Sequence, residues 1–205
     1  MNKPYFSIII PVHNAEHRIV SALLSIHNQT DHDYELICVC DSCTDNSADI
    51  CRQFGADVYE VNYGNDGLSR NKGLDVATGD WVLFMDDDDM WAHPFVLEGL
   101  KKQLHDDVDI IQCAWYWRHI GYQNAINPDG SLCVNVWSKC WNRKFIGETR
   151  FPNVHSVSDY EFTKLMFAKK PRIAIWDCCI YDYNYMRPGS ITEIDKREEN
   201  KLNEN

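Results

Sequence analysis

The first half of the chain alternates short apolar runs with longer segments in which apolar residues recur every three or four positions. The run from Phe6 to Val12 is rich in β-branched residues, which is typical of a strand buried on both faces. After it, Ile19, Leu23 and Ile26 fall on one helical face, and Asn14 is predicted to cap that helix. The other apolar runs predict strands at residues 36–40, 58–61 and 81–85.

Capping and stop signals predict helices between and after these strands. Thr44 or Asp45 is expected to cap a second helix that stops at Gly55. A third helix is predicted over residues 69–77, and Pro94 suits the first turn of a fourth. Strands that alternate with helices at this spacing predict βαβ units and a mostly parallel central sheet flanked by helices.

The pattern changes after about residue 110, where tryptophans stand among short polar segments. A helix is predicted at residues 158–167, and Tyr181, Tyr183 and Tyr185 alternate as in a strand. We expect this half to be a smaller mixed α+β part of the same domain. The predicted organisation is therefore one domain over residues 1–192, with halves at 1–110 and 111–192, followed by a polar tail at 193–205.

Four consecutive aspartates, Asp86 to Asp89, directly follow the strand predicted at residues 81–85. Like charges at this density repel, and no Lys or Arg lies within five residues on either side. A divalent cation would supply positive charge, and hard cations prefer carboxylate oxygens. Because alternate residues of an extended segment share a side, Asp86 and Asp88 are the candidate metal ligands. The alternative is a solvated acidic loop.

Polar residues also follow the other predicted parallel strands: Asn14 after the first and Asp41 after the second. Since ligands of such sheets bind outside the carboxyl ends of the strands, these residues and the aspartates are expected to line one acidic crevice. The aspartates do not fit an EF-hand, because Trp91 stands where glycine is needed and Leu97 where glutamate is needed. No glycine-rich phosphate loop of the Walker or dinucleotide type is present.

The net charge and the cysteine content indicate which binding partners and which cellular compartment to expect. The 205 residues include 20 Lys and Arg against 31 Asp and Glu, a net charge of −11, which disfavours binding to nucleic acid or to an anionic membrane. No apolar run approaches the roughly 18–20 residues that span a bilayer, and no secretory signal is expected. Nine cysteines without a regular framework favour reduced thiols over disulfides or zinc, so a cytoplasmic location is expected.

A series of short motifs runs through the chain in a fixed order. They are Ser7–Asn14, Ser25–Thr30, Cys40–Asp45, Gly67–Gly73, the dipeptide at 79–80, Asp86–Asp89, and residues 136–139, 150–152, 158–159 and 187–192. In this order the motifs resemble those of family 2 glycosyltransferases, which have the GT-A fold, with the aspartates on the family's Asp-x-Asp motif. The resemblance extends over about residues 5 to 192, and no single motif would suffice alone.

The resemblance implies a role for each matching position. For nucleotide binding it implies Pro11, Val12, Asn14, Asp41, Arg70 and Asp87. Asp41 would bind the base, typically uracil, and Asp87 would lie near the ribose. Asp88 would ligate manganese or magnesium, with Asp86 alongside. Asp159 would be the catalytic base that takes the proton of the acceptor hydroxyl.

Two of these positions have a structural alternative. Arg70 would either lie near the diphosphate or act as a strut between helix and sheet. The alternative for Asp159 is a purely structural role, because the helix dipole favours a negatively charged side chain near a helix N-terminus. Ser158 stands where the family usually has an acidic residue before the base, and Cys40 and Ser42 also depart from the usual motif.

The expected activity is metal-dependent transfer of a sugar from a UDP-sugar donor to an acceptor hydroxyl. A base opposite the leaving group implies inversion at the anomeric carbon. The expected acceptor is a carbohydrate or glycolipid of polysaccharide or glycoconjugate synthesis, and peripheral association with a membrane-bound acceptor stays open. The alternatives are a non-catalytic relative that binds nucleotide sugars and a sugar-phosphate nucleotidyltransferase, which would need more basic and backbone donors around a triphosphate.

Overall fold

The computed structural model describes residues 3–118, 120–154 and 157–184. Its strands are β1 (Phe6–Val12), β2 (Tyr34–Asp41), β3 (Asp57–Val61), β4 (Trp81–Phe84), β5 (Met90–Trp91), β6 (Ile110–Trp117), β7 (Gly121–Gln123), β8 (Lys139–Asn142) and β9 (Ile173–Tyr183). Its helices are α1 (Ile19–His27), α2 (Ser47–Gln53), α3 (Asp66–Val76), α4 (Val96–Gln103), α5 (Arg143–Ile146) and α6 (Ser158–Ala168). The strands of these residues form one sheet in the order β3-β2-β1-β4-β8-β6-β9-β5, with β7 paired to β6.

Strands β1 to β4 form the parallel part of the sheet, with β1 at its centre between β2 and β4. Because β1 is covered on both faces, its consecutive isoleucines serve two cores: Ile8 and Ile10 pack with α1, α2 and α4, and Ile9 packs with α3, α5 and α6. This two-sided burial is why the strand is a continuous apolar run. The predicted α/β class is confirmed.

The second half of the chain extends the same sheet in mixed directions. Strand β8 runs antiparallel between β4 and β6, and β9 runs parallel to β6. The two-residue strand β5 pairs with β9, with Trp91 opposite Tyr181. The four aspartates connect β4 to β5, so they bridge the parallel part of the sheet and the mixed part.

Several local predictions differ from the structure. Asn14 does not cap α1: the helix begins later, at Ile19, and the Asn14 side chain instead accepts a hydrogen bond from Thr44 N at 2.8 Å. Helix α3 begins at Asp66 rather than at residue 69, because the Asn65 side chain caps it by accepting from Leu68 N. Tyr185 and the tail at 193–205 lie outside the described residues. No helix among the described residues is long and apolar enough to cross a membrane.

Candidate active site

The carboxyl ends of β1, β2 and β4 meet at His13. Its backbone N–H donates to Asp87 Oδ2 at 3.2 Å, and its ring Nδ1 lies 2.7 Å from the carbonyl oxygen of Asp41. Because a carbonyl oxygen can only accept, this contact requires the proton on Nδ1. The structure thus brings together the three strand ends that the sequence predicted to share a crevice.

The aspartates form a turn rather than an extended segment. Asp89 N donates to Asp86 O at 3.3 Å, which closes the turn. Asp87 and Asp89 are buried, with 9% and 0% of their surfaces exposed, whereas Asp86 and Asp88 are partly exposed. The predicted pairing of Asp86 with Asp88 rested on the geometry of an extended strand, and that reasoning was wrong. The alternation of burial nevertheless leaves these two carboxylates as the accessible pair.

Asp87 is held by an arginine that the sequence analysis did not identify. Arg18 binds its carboxylate through two hydrogen bonds, Nε to Oδ1 at 2.9 Å and Nη2 to Oδ2 at 3.0 Å. The same guanidinium donates to the carbonyl oxygens of His13 and Asn14 at 2.8 and 2.7 Å. Arg18 therefore fastens the end of β1 to the aspartate turn. The predicted place of Asp87 near the ribose stays a prediction.

This clamp leads to a prediction about stability. Arg18→Met should lower the free energy of unfolding by about 2–3 kcal/mol, because the buried Asp87 carboxylate loses its cation. Urea denaturation measures the loss. Arg52→Met is the matched control: Arg52 pairs with Asp49 and Glu60 on the surface, where ion pairs contribute little. Equal losses in the two variants would mean that the clamp contributes no more than a surface pair.

Arg70 is the centre of a second, more deeply buried network. Only 4% of its surface is exposed, and its guanidinium lies 5.6 Å from the ring centroid of Phe151. It forms an ion pair with Asp66, donates to Asp86 Oδ1 at 2.7 Å, and lies 3.4 Å from Asp159 Oδ1. One cation thus joins the predicted metal ligand Asp86 to the predicted base Asp159. These contacts agree with the strut alternative for Arg70, and a contact with the nucleotide stays a prediction.

The carboxylates of this crevice are only partly neutralised. Burial raises the pKa of Asp86 to about 7, although Arg70 opposes the shift; the charges of Asp159 and Asp88 add to it. Burial likewise raises the pKa of Asp159, against the influence of Arg70. Burial, together with the charges of Asp86 and Asp88, raises the pKa of Asp89 well above its usual range. Burial and mutual repulsion therefore keep the pKa values of Asp86 and Asp159 raised even though both lie beside Arg70.

The resemblance implies a divalent cation, and the carboxylates of the aspartate turn are the candidate ligands for it. Within the described ranges, no group of three or more His, Cys, Asp or Glu side chains is placed to hold a metal ion. Asp86 and Asp88 are nevertheless partly exposed, and the nearby charges of Asp159 and Asp88 add to the raised pKa of Asp86. Mg²⁺ and similar cations commonly take one or two carboxylates and complete their coordination with substrate phosphates. The donor set therefore fits a cation that binds together with a diphosphate.

Asp41 lies at the end of β2 and is almost fully buried, with 5% of its surface exposed. Its oxygens accept hydrogen bonds from three consecutive backbone N–H groups, residues 63 to 65, and from the hydroxyls of Ser42 and Ser69. Burial raises the pKa of Asp41, but the three N–H donors outweigh that effect and hold it below its usual range. Asp41 thus fixes the loop before α3, and its predicted contact with a base would be additional to this.

The other residues predicted to bind nucleotide lie beside Asp41 at the end of β1. Pro11 is partly exposed, Val12 is buried and Asn14 is exposed, with a positive φ of 45°. The Cys43 thiol contacts Val12 O at 3.4 Å, so the loop after β2 packs against this strand end. The structure brings these residues together, and their contact with a nucleotide stays a prediction.

Asp159 lies in the first turn of α6 and is linked to Asp86 through Arg70. Val136 N donates to its Oδ2 at 3.3 Å. The neighbouring Ser158 hydroxyl donates to Asp66 Oδ2 at 3.0 Å. Asp66 therefore puts a carboxylate beside Ser158, the position where the family usually has an acidic residue. The sequence analysis missed Asp66, since it lies 92 positions away along the chain.

Lys139 is a further charged residue that the sequence analysis did not single out for the site. It is fully buried, and its Nζ donates to the carbonyl oxygens of Cys133 at 2.7 Å and Asn135 at 2.5 Å. Burial lowers its pKa to about 8, while the nearby charge of Asp159 opposes the shift. Lys139 thus orders the segment whose next residue, Val136, donates to Asp159.

The amino-acid sequence is similar to those of known protein families and curated proteins. The sequence model of the family described as Glycosyl transferase family 2 matches residues 7–176. The poly(ribitol-phosphate) beta-glucosyltransferase of Bacillus spizizenii is 44% identical over 205 residues, covering 88% of this chain and 32% of that protein. Glycosyltransferase GlyA of Streptococcus pneumoniae is 35% identical over 219 residues, covering 92% and 31%. The chain spans about a third of the length of these curated relatives.

Solved structures share the fold. S. aureus TarS 1-349 in complex with UDP-GlcNAc has a TM-score of 0.80 at 22% identity, covering 92% of this chain and 60% of that one. Glucosyl-3-phosphoglycerate synthase from Mycobacterium tuberculosis, in complex with Mn²⁺, UDP and phosphoglyceric acid, has a TM-score of 0.70 at 19% identity, covering 95% and 74%. At these identities the likeness is one of fold, and the predicted GT-A fold is confirmed.

Proposed function

The chain belongs to glycosyl transferase family 2, and on that premise we propose that it transfers a sugar from a UDP-sugar to an acceptor hydroxyl, with inversion at the anomeric carbon. One observation carries the proposal: a single buried guanidinium, that of Arg70, joins Asp86 after strand β4 to Asp159 on helix α6. In this proposal Asp86 serves the donor and Asp159 the acceptor, as a displacement between two substrates needs.

On the donor side, we assign the nucleotide to the ends of β1 and β2. Pro11, Val12 and Asn14 would line the base and ribose pocket, with Asp41 beneath it. Asp87, held by Arg18, would fix the distance between this pocket and the aspartate turn. In this assignment the nucleotide lies in residues 1–110 and the acceptor in residues 111–192 of one domain.

Asp86 and Asp88 would hold a Mn²⁺ or Mg²⁺ ion that binds together with the diphosphate. When bound, such an ion stabilises the negative charge that grows on the leaving diphosphate. The protein contributes carboxylate oxygens at a place where burial and like charge disfavour ionisation without a cation. A solved structure with the same fold contains Mn²⁺ and UDP, which supports this assignment.

On the acceptor side, Asp159 would accept the proton of the attacking hydroxyl. An alcohol is a poor nucleophile until a base takes its proton, and the raised pKa of Asp159 makes its carboxylate a stronger base. Arg70 and Val136 N hold this carboxylate in place. Attack from this side, opposite the diphosphate, would invert the anomeric centre.

For the acceptor, we propose a chemical class rather than a single compound. One relative is named a poly(ribitol-phosphate) beta-glucosyltransferase, so a carbohydrate, glycolipid or polyol-phosphate polymer of polysaccharide synthesis is the proposed acceptor. A cytoplasmic location, where UDP-sugars are made, would suit this chemistry.

The proposal is tested by thermal denaturation with UDP and Mn²⁺. At about 100 times the dissociation constant, a ligand stabilises the native state by about 2.7 kcal/mol, or roughly 5–10 °C for a chain of this size. We expect that shift with UDP and Mn²⁺ together and a much smaller one with either alone. Asp88→Asn should lose the shift while its own melting temperature stays within about 2 °C of wild type.

Asp107→Asn, which changes an exposed aspartate far from the crevice, is the matched control and should keep the full shift. Release of UDP from UDP-glucose or UDP-GlcNAc then separates an enzyme from a non-catalytic binder. A shift that is equally large in the presence of a chelator would contradict the metal assignment.

A further inference from the structure

The Tyr181 side chain reaches the aspartate turn from the other half of the sheet. Tyr181 is fully buried on β9, where it pairs with Trp91, the second residue of β5 and two positions beyond the last aspartate. Its hydroxyl oxygen accepts a hydrogen bond from Asp86 N at 2.9 Å. The start of the turn is therefore tied to a side chain 95 positions away along the chain.

The other end of the turn is held by the residue that follows β9. The Asp89 carboxylate is buried next to the Tyr181 hydroxyl, and its Oδ1 accepts from Asn184 N at 2.6 Å. The hydroxyl oxygen of Tyr181 accepts from Asp86 N, so its proton is left to donate. The second oxygen of the Asp89 carboxylate, Oδ2, is buried and has no hydrogen-bond partner among the described residues. The two ends of the four-residue turn are thus held by the Tyr181 hydroxyl at Asp86 and by Asn184 N at Asp89.

The ring of Tyr181 is itself fixed by packing. It stacks on Trp137 with ring centroids 4.5 Å apart and an angle of 17° between the planes. Trp137 in turn meets Trp115 edge-on at 5.8 Å. A ring held on this scaffold places its hydroxyl with little freedom, and side chains held in this way are the ones that can orient neighbouring metal ligands.

We propose that Tyr181 is a positioning residue for the donor site: its hydroxyl sets the backbone of the aspartate turn so that Asp86 and Asp88 present their carboxylates to a diphosphate-bound cation. The inference rests on the proposed function, because it assumes that a cation binds with the nucleotide. It goes beyond that function by giving β9, in the acceptor half of the chain, control over the donor half.

The test is Tyr181→Phe, which removes one oxygen atom and keeps the ring and its stacking. Calorimetric titration with UDP is done with Mn²⁺ and again in chelator. We expect UDP affinity in saturating Mn²⁺ to fall about tenfold, the lower end of the losses seen when groups behind a metal ligand are removed. Affinity in chelator should stay unchanged, because Tyr181 contacts neither the base pocket nor the loop that Asp41 fixes.

Tyr34→Phe is the matched control: its hydroxyl donates to Ile26 O at 3.4 Å, on the helix α1 side of β2 and away from the aspartate turn. Both UDP affinities should equal those of wild type. Wild-type-like binding of UDP and Mn²⁺ by Tyr181→Phe would overturn the proposal. So would an equal loss with and without metal, or a loss of the native near-ultraviolet spectrum, since either would make Tyr181 a general structural residue. If wild type itself shows no metal-dependent UDP binding, the proposed function fails instead.

Discussion

Replacing Asp159 by Asn should lower the rate of sugar transfer by about 10²-fold or more, the usual scale of general base catalysis. Asn keeps the size of the side chain and its capacity to accept from Val136 N, but it cannot take a proton. UDP and Mn²⁺ should bind within about a factor of three of wild type, because the lost interaction belongs to the transition state. Transfer to an acceptor, or donor hydrolysis as a surrogate, measures the rate.

The control for this variant is Glu161→Gln, since Glu161 lies in the same first turn of α6 and experiences the same helix dipole. It should transfer sugar at the wild-type rate. If Asp159→Asn also keeps near wild-type transfer, Asp159 is a helix-terminal residue and another base must be sought. If Asp159→Asn loses UDP binding, Asp159 belongs to the donor site. The proposed assignment of donor and acceptor residues is then wrong.

Arg70→Met should lower the free energy of unfolding by about 3–5 kcal/mol at pH 8, because it leaves three clustered carboxylates without their shared cation. Transfer should be lost as well, since Asp86 and Asp159 would both move. Urea denaturation and turnover, measured side by side, check the two effects. Arg70→Lys should recover little, because an ammonium group cannot reproduce the forked geometry of a guanidinium.

The loss in Arg70→Met should depend on pH in a defined direction. Without Arg70, the folded-state pKa values of Asp86 and Asp159 rise further above those of the unfolded chain, which are about 4. The folded state then binds more protons than the unfolded state, so stability falls as pH rises through the folded pKa values. The deficit should be smaller at pH 5 than at pH 8. Arg150→Met, which breaks a surface pair with Asp75, should show no such trend.

The parallel part of the fold could be predicted because its signals are local. The continuous apolar runs at β1, β2 and β4 reflect burial on both faces, and that burial is a property of each strand by itself. Strand β5 was missed because two residues carry no periodicity; its pairing with β9 stabilises it. The prediction that Asn14 caps α1 was wrong, because an asparagine side chain can accept hydrogen bonds from other backbone groups as well. Here its oxygen accepts from Thr44 N instead.

The site residues that stand in motifs could be predicted, but the partners that the fold brings to them from elsewhere could not. A search for Lys or Arg within five residues of the aspartates finds none, yet the fold brings Arg70 from 16 positions away and Arg18 from 69 positions away. Asp66, Lys139 and Tyr181 were missed for the same reason. Sequence shows which charges need partners, whereas only the folding of distant segments shows which partners they receive.

The bond between Tyr181 and the aspartate turn has a consequence for the order in which the protein is made. A chain emerging from the ribosome exposes β1 to β4 early, and these can pair through nearby helices. The aspartate turn, however, must wait for a contact 95 residues downstream. Because contacts of such long sequence separation form late, the donor site should become competent only after the acceptor half has folded. On the proposed function, a nascent chain would thus bind no nucleotide sugar before its acceptor half has folded.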